Sequence, residues 1–520
     1  MNQDAPPERG AAWRRFAVAA YLGAASCLVL LGVRIYFAMS FSEPMQGHTT
    51  GDEFSQFYAI WRHIQGQPVY TDRLSPPFYS AIYNWLFYES YGIFTAAAQR
   101  LLSLQDAWIP TIGRIFSLLA MVFAAGAAHI AYLKAAGEKG KSLTWICFAF
   151  AVFIVAGPLV GYWNITVRSD LWARTFEIAA IAAFLVLYPR RRWSALLVFI
   201  VFAYLAWAFK QGSVFPAGAV GLFLLARRDW RALAVLSILL PAAWAATLAL
   251  GEPQYVSNVL LNELPLFFNF ERMVRNLANF AVKSGPILFY LAALAAAAIA
   301  FAESIKEMWR SDAFVIGLGG ALCAAVISIP GSALSGGAEN YFYALSFFMG
   351  LMTTASLPMV LERGGAPARW VLSAGAIGWG TLIASVLLVL GGVTGVVDLR
   401  PQNAGYMAAK RCLDTLPRPL FVNNPYLSLP WMTPGATPYV LFYNYQDDLK
   451  VGHVFKDGGI GGLIEKGAFA AIAIGRAKGA PAPDRLDWGP LAGYTLAPAD
   501  YPSNARCPQF HIFLRHRQTP

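Results

Sequence analysis

The chain has 520 residues, 57% of them hydrophobic and only 13% charged, against about 25% charged in ordinary soluble domains. One large soluble core is excluded by that deficit, and the long near-uncharged segments that recur through the first 395 residues are those of a polytopic membrane protein. The formal net charge of +11 is not a nucleic-acid footprint, because much of it sits in short turns between apolar segments.

About eleven spans are predicted, at roughly 16–40, 110–134, 142–160, 173–189, 194–209, 213–227, 231–250, 284–303, 313–330, 341–360 and 370–392. Arg14 and Arg15 precede the first. "KAAGEKGKS", "PRRRW", "RRDWR", "SIKEMWRSD" and "LERGGAPARW" follow the second, fourth, sixth, eighth and tenth. All fall on the side of the N-terminus, which the positive-inside rule makes cytoplasmic. The long connections 41–109, 251–283 and 393–520 then lie outside. The first span runs on as "SCLVLLGVRIYFAM" past the small residues of "GAAS", so it does not read as a cleaved signal peptide.

The first outer loop, 41–109, is too long for a connector. It opens with adjacent carboxylates, Asp52 and Glu53, followed by Phe54, Phe57, Tyr58, Trp61 and Ile64 at helical spacing. This amphipathic run is expected to lie along the bilayer surface and hold the acids at the boundary. "GQPVYTD", with Tyr70, reads as a turn. In "SPPFYSAIYNWLFYESYG" Ser75 is placed as N-cap and Pro76 as the first helical residue. The six Tyr and Phe residues between 78 and 91 suit a helix bedded in the interface. A re-entrant hairpin with no chemical role is the plainer alternative.

After the third span, "VGYWNITVRSDLWARTFE" brings Asn164, Arg168 and Asp170 to the outer mouth, where ionisable groups pair or serve a function. A local Arg168–Asp170 salt bridge is the plain reading. The fifth span ends in "AWAFKQGSVFP", and Lys210 with Gln211 either snorkels to the surface or binds an anion. In 251–283, Arg272, Arg275 and Lys283 fall broadly on one helical face behind Phe267, Phe268 and Phe270. That combination fits phospholipid headgroups, and equally the phosphate and isoprenoid tail of a lipid substrate. "PGSALSGGAENYFY" joins the ninth and tenth spans and directs Glu339, Asn340 and Tyr341 to the outer cavity.

From about residue 395 the composition becomes ordinary. "RPLFVNN", "TPYVLFYN", "AFAAIAIG" and "FHIFLR" read as strands, "GGLIEKG" as a short helix and "GGIGG" as a loop. The domains are therefore 1–394, a transmembrane unit including the outer loop, and 395–520, an external α/β domain. Cys27, Cys147 and Cys323 lie within spans, whereas Cys412 and Cys507 share the external segment, where a disulfide is chemically allowed. No Cys/His cluster has zinc spacing.

Carboxylates and cations thus converge on one side of the membrane. A glycosyl transfer from a lipid-phosphate sugar needs such an arrangement: a carboxylate as general base for the acceptor hydroxyl, Lys or Arg for the departing phosphate, and a greasy approach for the lipid tail. Asp52, Glu53 and Asp170 could instead hold a divalent cation, Mg or Mn, against the phosphate; no cofactor is otherwise implied.

"GDEFSQFYAIWRHIQGQPVY" in the first outer loop, "VRSDLWARTF" before the fourth span, "FKQGSVFP" after the fifth and "GGAENYFYAL" before the tenth resemble motifs of the GT-C membrane glycosyltransferases. The resemblance is to the bacterial branch related to protein O-mannosyltransferases and lipid A aminoarabinose transferases, and covers roughly 15–392. It implies Asp52 as catalytic base with Glu53 as partner, and Asp170 shaping or helping to ligate the site. Lys210 with Arg272 or Arg275 would meet the phosphate, Arg168, Gln211 and Lys283 would support donor binding, and Tyr58, Tyr70, Glu339, Asn340 and Tyr341 would line the substrate. The implied fold is polytopic α-helical and GT-C-like, with an external α/β domain. The implied enzyme is a monomer in the bacterial inner membrane, its N-terminus cytoplasmic and its C-terminal domain periplasmic. It would use a polyprenyl-phosphate-linked sugar and a glycolipid, glycan or protein acceptor, among membrane phospholipids and without nucleic acid. The span count is below that of the aminoarabinose enzymes. A transporter or flippase of a lipid-linked sugar is the rival class, expected to show mid-membrane ionisable groups and inverted repeats; a scaffold protein would need no such convergence.

Overall fold

The computed structural model describes residues 7–49, 53–137, 143–260, 267–300, 302–334, 337–391, 398–435, 439, 443–450, 452–476, 481–483, 485–486, 489–491, 493–498 and 507–516. Asp52 lies outside the described residues, as does most of "TPYVLFYN". The chain divides into two compact units. One comprises Met1–Tyr36, Ser117–Leu250 and Leu266–Val397, the other Phe37–Phe116, Gly251–Pro265 and Asp398–Pro520.

The first unit is helical. Across the described chain, seven helices are long and apolar enough to cross a membrane: Gly10–Ala38, Asp106–Ala135, Arg192–Phe209, Trp230–Leu250, Asp312–Gly331, Glu339–Glu362 and Gly365–Leu390. An eighth arises if Phe270–Lys283 and Gly285–Ala296, which meet at 84°, count as one broken span. The protein is therefore a polytopic membrane protein. Of the remaining predicted spans, Thr144–Ala156 and Phe215–Ala226 are short apolar helices. Asp170–Leu187 is helical but carries Asp170, Arg174 and Glu177 in its first eight residues. The lining is tight: Phe150 and Phe153 pack on the buried Trp379 ring at 5.3 and 5.9 Å. A Cβ on Gly378 would lie 2.5 Å from the Gly285 carbonyl, so these two helices cross at backbone distance only because neither residue has a side chain. Conversely, Ile238, Leu239 and Leu250 on Trp230–Leu250 and Val326 on Asp312–Gly331 are exposed, as lipid-facing side chains are.

The basic turns of this unit are held by carboxylates. Asp229 receives Arg192 and the Tyr188 hydroxyl, and Asp312 receives Arg227 at 2.7 Å. At the opposite helix ends lie the junctions 157–170, 209–215 and 331–343, described below.

The second unit holds the β-structure. Strands β1 (Leu420–Asn423), β2 (Ala471–Gly475), β3 (Arg485–Leu486), β4 (Gly489–Pro490), β5 (Tyr494–Leu496) and β6 (Phe510–Arg515) form a four-stranded sheet, order β1-β2-β6-β5, and a separate β3-β4 pair. β1 and β2 are parallel, with Leu420 opposite Ala471; β6 runs antiparallel to β2, with Ile512 opposite Ala473. The continuous apolar run Ala471–Ile474 is buried, as a central strand covered on both faces requires. "GGIGG" is not a loop throughout: Gly459–Glu465 is a short helix, preceded by Gly458 in the left-handed region at φ 78°.

Two expectations for the first outer loop need correction. Helix Glu53–Ile64 is not half wet, because every residue from Glu53 to Ile60 is buried, the polar ones included. Gln56 accepts a hydrogen bond from the Tyr88 hydroxyl at 3.2 Å, so its polarity is satisfied inside the protein. The next helix begins at Trp85, not Pro76. Phe78 sits at φ 59°, which no α-helix tolerates, and the Ser75 hydroxyl is used by Asp72 at 2.6 Å. The six aromatics between 78 and 91 are buried: Phe78 packs against Tyr445 and Phe455 at 5.5 Å each, and Phe87 against Tyr88 and Tyr91 at 4.8 Å each.

Cys412 and Cys507 form a disulfide across a sequence separation of 95 residues. Closing a loop of that length restricts the unfolded chain, so Cys412→Ser with Cys507→Ser is expected to destabilise this unit by about 2–4 kcal/mol. Thermal unfolding of the purified full chain with and without reductant checks this. An unchanged melting temperature in both would refute it.

Candidate functional site

Three junctions of the helical unit meet around one carboxylate. Asp170 is the first residue of helix Asp170–Leu187, where the helix dipole favours a negative charge. Lys210 caps the C-terminal end of Arg192–Phe209 and extends its ammonium to the Asp170 Oδ1 at 2.5 Å. Asn340, in the short 3-10 turn Glu339–Phe342, donates from Nδ2 to the same oxygen at 2.9 Å. The Lys210 ammonium also lies 5.7 Å from the centre of the Tyr341 ring, within cation–π reach. Asp170 Oδ2 and Asn340 Oδ1 are buried and accept no hydrogen bond among the described residues. Three of the four stretches that carry the sequence resemblance thus deliver side chains to one cluster.

Around it stand the other expected residues. The Arg168 guanidinium lies over the Trp163 ring at 4.8 Å and acts electrostatically on Asp170. Glu339 is held by Lys283 through both carboxylate oxygens, at 2.8 and 2.5 Å. Arg272 donates to the Leu334 carbonyl at 2.7 Å, while Arg275 is exposed on helix Phe270–Lys283. Gln211 follows Lys210 in the tight turn that returns the chain into Phe215–Ala226.

One turn along Asp170–Leu187, Arg174 and Glu177 form a buried ion pair at 3.2 Å, and Arg174 also donates to the Tyr343 carbonyl. Sequence reading passed over this pair. The available signal was two opposite charges three residues apart inside an apolar segment.

In the second unit, the acid next to Asp52 has a structural explanation. Glu53 Oε2 accepts from the Thr49 amide at 2.7 Å, the Thr49 hydroxyl at 2.9 Å and Arg114 Nη2 at 3.2 Å. Glu53 and Arg114 are both fully buried. Arg114 Nη2 further donates to the Gly47 carbonyl at 2.5 Å. Glu53 is therefore the internal partner of an arginine. Arg114 was concealed inside a predicted span. Tyr58 and Tyr70 also belong to this unit and serve its packing: the Tyr58 hydroxyl accepts from Arg62 at 3.2 Å, and Tyr70 donates to the Tyr83 carbonyl at 2.9 Å. Nearby, His48 stacks on Tyr426 at 4.1 Å, and burial pushes its imidazole below its ordinary pKa. Among the described residues no three His, Cys, Asp or Glu side chains converge as metal ligands do.

Removing one partner of a buried ion pair leaves the other uncompensated. Arg114→Met is thus expected to cost about 3–5 kcal/mol of stability, and Arg114→Met with Glu53→Gln clearly less than those two single changes summed. Melting temperatures of the four proteins provide the check; simple additivity would contradict the pairing.

No family model matches the chain, and no curated protein does. Solved structures do. ArnT from Cupriavidus metallidurans in the apo state matches with a TM-score of 0.50 at 12% identity, over 87% of this chain and 92% of that one. The Archaeoglobus fulgidus oligosaccharyltransferase in complex with zinc and sulfate matches at 0.50 and 12%, over 87% of this chain and 68% of that one. The archaeal oligosaccharyltransferase AglB from the same organism, in complex with an inhibitory peptide and a dolichol-phosphate, matches at 0.50 and 11%, over 88% and 69%. At such identities the likeness is one of fold: the chain is built like ArnT and these oligosaccharyltransferases.

Proposed function

We propose that the chain is an inverting glycosyltransferase. It moves a sugar from a polyprenyl-phosphate donor to a lipid, glycan or protein acceptor at the periplasmic face of a bacterial inner membrane. The reading keeps the predicted orientation, N-terminus cytoplasmic and C-terminal segment periplasmic, and about eleven spans. The observation that carries it is the Asp170–Lys210–Asn340 cluster, a built polar site at one end of an apolar helical bundle. The fold supports it, since an oligosaccharyltransferase of the same architecture was solved with a dolichol-phosphate.

The chemistry follows from charge. A sugar linked to polyprenyl phosphate is a phosphodiester with one negative charge. As its anomeric C–O bond breaks, the phosphate takes the electron pair and becomes a dianion. A cation beside it is therefore worth more in the transition state than in the ground state. Lys210 supplies that charge, and Asp170 with Asn340 fixes where the ammonium sits. The acceptor hydroxyl attacks from the opposite face and loses its proton to a carboxylate. We assign that base to Asp52 on the sequence resemblance; its neighbour Glu53 is paired with Arg114. A divalent cation is compatible with this scheme, and chelation in the same assay decides whether one is needed.

The test supplies membranes containing the chain with candidate polyprenyl-phosphate sugars and identifies products by mass spectrometry. Asp52→Asn is expected to express normally and lower transfer by about 10²–10⁴-fold, the usual contribution of a general base. Near-normal turnover in that variant removes Asp52 as base. Absence of any product from the unsubstituted protein across the donors would overturn the glycosyltransferase reading itself.

A further inference from the structure

The helical unit contains a buried cation that the scheme above does not use. Three carboxylates at this end of the unit each have their own partner: Asp170 has Lys210 at 2.5 Å, Glu177 has Arg174 at 3.2 Å, and Glu339 has Lys283 at 2.5 Å. Arg34, four residues before the end of helix Pro7–Ala38, is a further cation and only 3% exposed. Its Nε and Nη1 are buried and donate to nothing among the described residues. Its guanidinium lies 5.4 Å from the centre of the Tyr162 ring, and it forms no ion pair among the described residues. The groups that act on it electrostatically are Tyr162, Tyr343, Cys27 and Glu339. Of these, the Tyr343 hydroxyl is committed to the Val160 carbonyl at 2.8 Å, and both oxygens of Glu339 to Lys283.

A guanidinium out of water, with two unused donors and no counter-charge, is costly to keep. The dipole at the C-terminal end of its own helix offsets only a small part of that, and the Tyr162 ring replaces neither the charge nor the hydrogen bonds. Such a group is stable where an anion visits it. Arginine's planar array of N–H donors suits phosphate oxygens in particular.

We propose that Arg34 is an anion anchor, receiving the phosphate of an amphiphilic phosphate ester on its unused donors. That the amphiphile is the polyprenyl phosphate rests on the glycosyltransferase reading above; the anchor itself rests on the charge pairing. In that role Arg34 gains its counter-charge on binding, and the three existing ion pairs need not break.

The test is thermal unfolding of the purified full chain in detergent, comparing the unsubstituted protein with Arg34→Met and Arg34→Lys. Four additives are titrated: undecaprenyl phosphate, undecaprenol, phosphatidic acid and inorganic phosphate. Undecaprenyl phosphate, and not undecaprenol, is expected to raise the melting temperature of the unsubstituted protein. Arg34→Met should melt no lower than that protein without ligand, because it removes an uncompensated buried charge. It should need at least about tenfold more undecaprenyl phosphate for the same rise, the effect of losing one charged hydrogen bond. Arg34→Lys should fall between the two. A full ligand response in Arg34→Met would overturn the proposal, as would a ligand-free melting point well below that of the unsubstituted protein. An Arg34-dependent response to phosphatidic acid and not to undecaprenyl phosphate would keep the anchor and discard the polyprenyl donor. An equal response to inorganic phosphate would discard the amphiphile.

Discussion

An ionised group moved out of water survives only beside a counter-charge, and much of the polar architecture of this protein follows from that requirement. In the helical unit Lys210 reaches across from one helix end to another to meet Asp170, and Asn340 adds a neutral hydrogen bond to the same oxygen. Their meeting fixes how three inter-helix junctions are placed. Because the ammonium is held by a carboxylate that the Asn340 amide itself fixes, its position is set within the protein. That preorganisation is what a charge-stabilising site needs.

The same requirement explains Glu53. Read as half of an acidic pair, it seems chemical; read with Arg114, it is the structural half. A carboxylate that already accepts from a guanidinium, an amide and a hydroxyl has little capacity left for proton transfer. Arg34 is the counter-example within the helical unit, a buried cation with no ion-pair partner among the described residues, where its neighbours have one.

Much of the cluster was legible in the sequence, because polar residues stand out against apolar segments. Asp170, Lys210, Asn340 and Tyr341 could each be named from that contrast. Their pairing could not. Helix packing brings Lys210, forty residues on from Asp170, to the carboxylate, a pairing that no local spacing announces. Arg34, Arg114 and Arg174 were overlooked because a single charge does not break an otherwise apolar span. The aromatics from Phe78 to Tyr91 were misplaced for a related reason: composition cannot distinguish an interfacial helix from a buried one. The sheet was partly visible, since β1, β2 and β6 are continuous apolar runs, whereas β3, β4 and β5 are two or three residues long and carry no periodic signal.

The central claim is that the paired charges of the helical unit form the seat of an anionic lipid headgroup. An experimental density map of the full chain with bound undecaprenyl phosphate tests it most directly. The account predicts phosphate density within hydrogen-bond distance of Lys210, with Asp170 still holding the ammonium and Asn340 still bonded to Asp170. Phosphate density bound elsewhere, with the Lys210–Asp170 pair untouched by ligand, would contradict it.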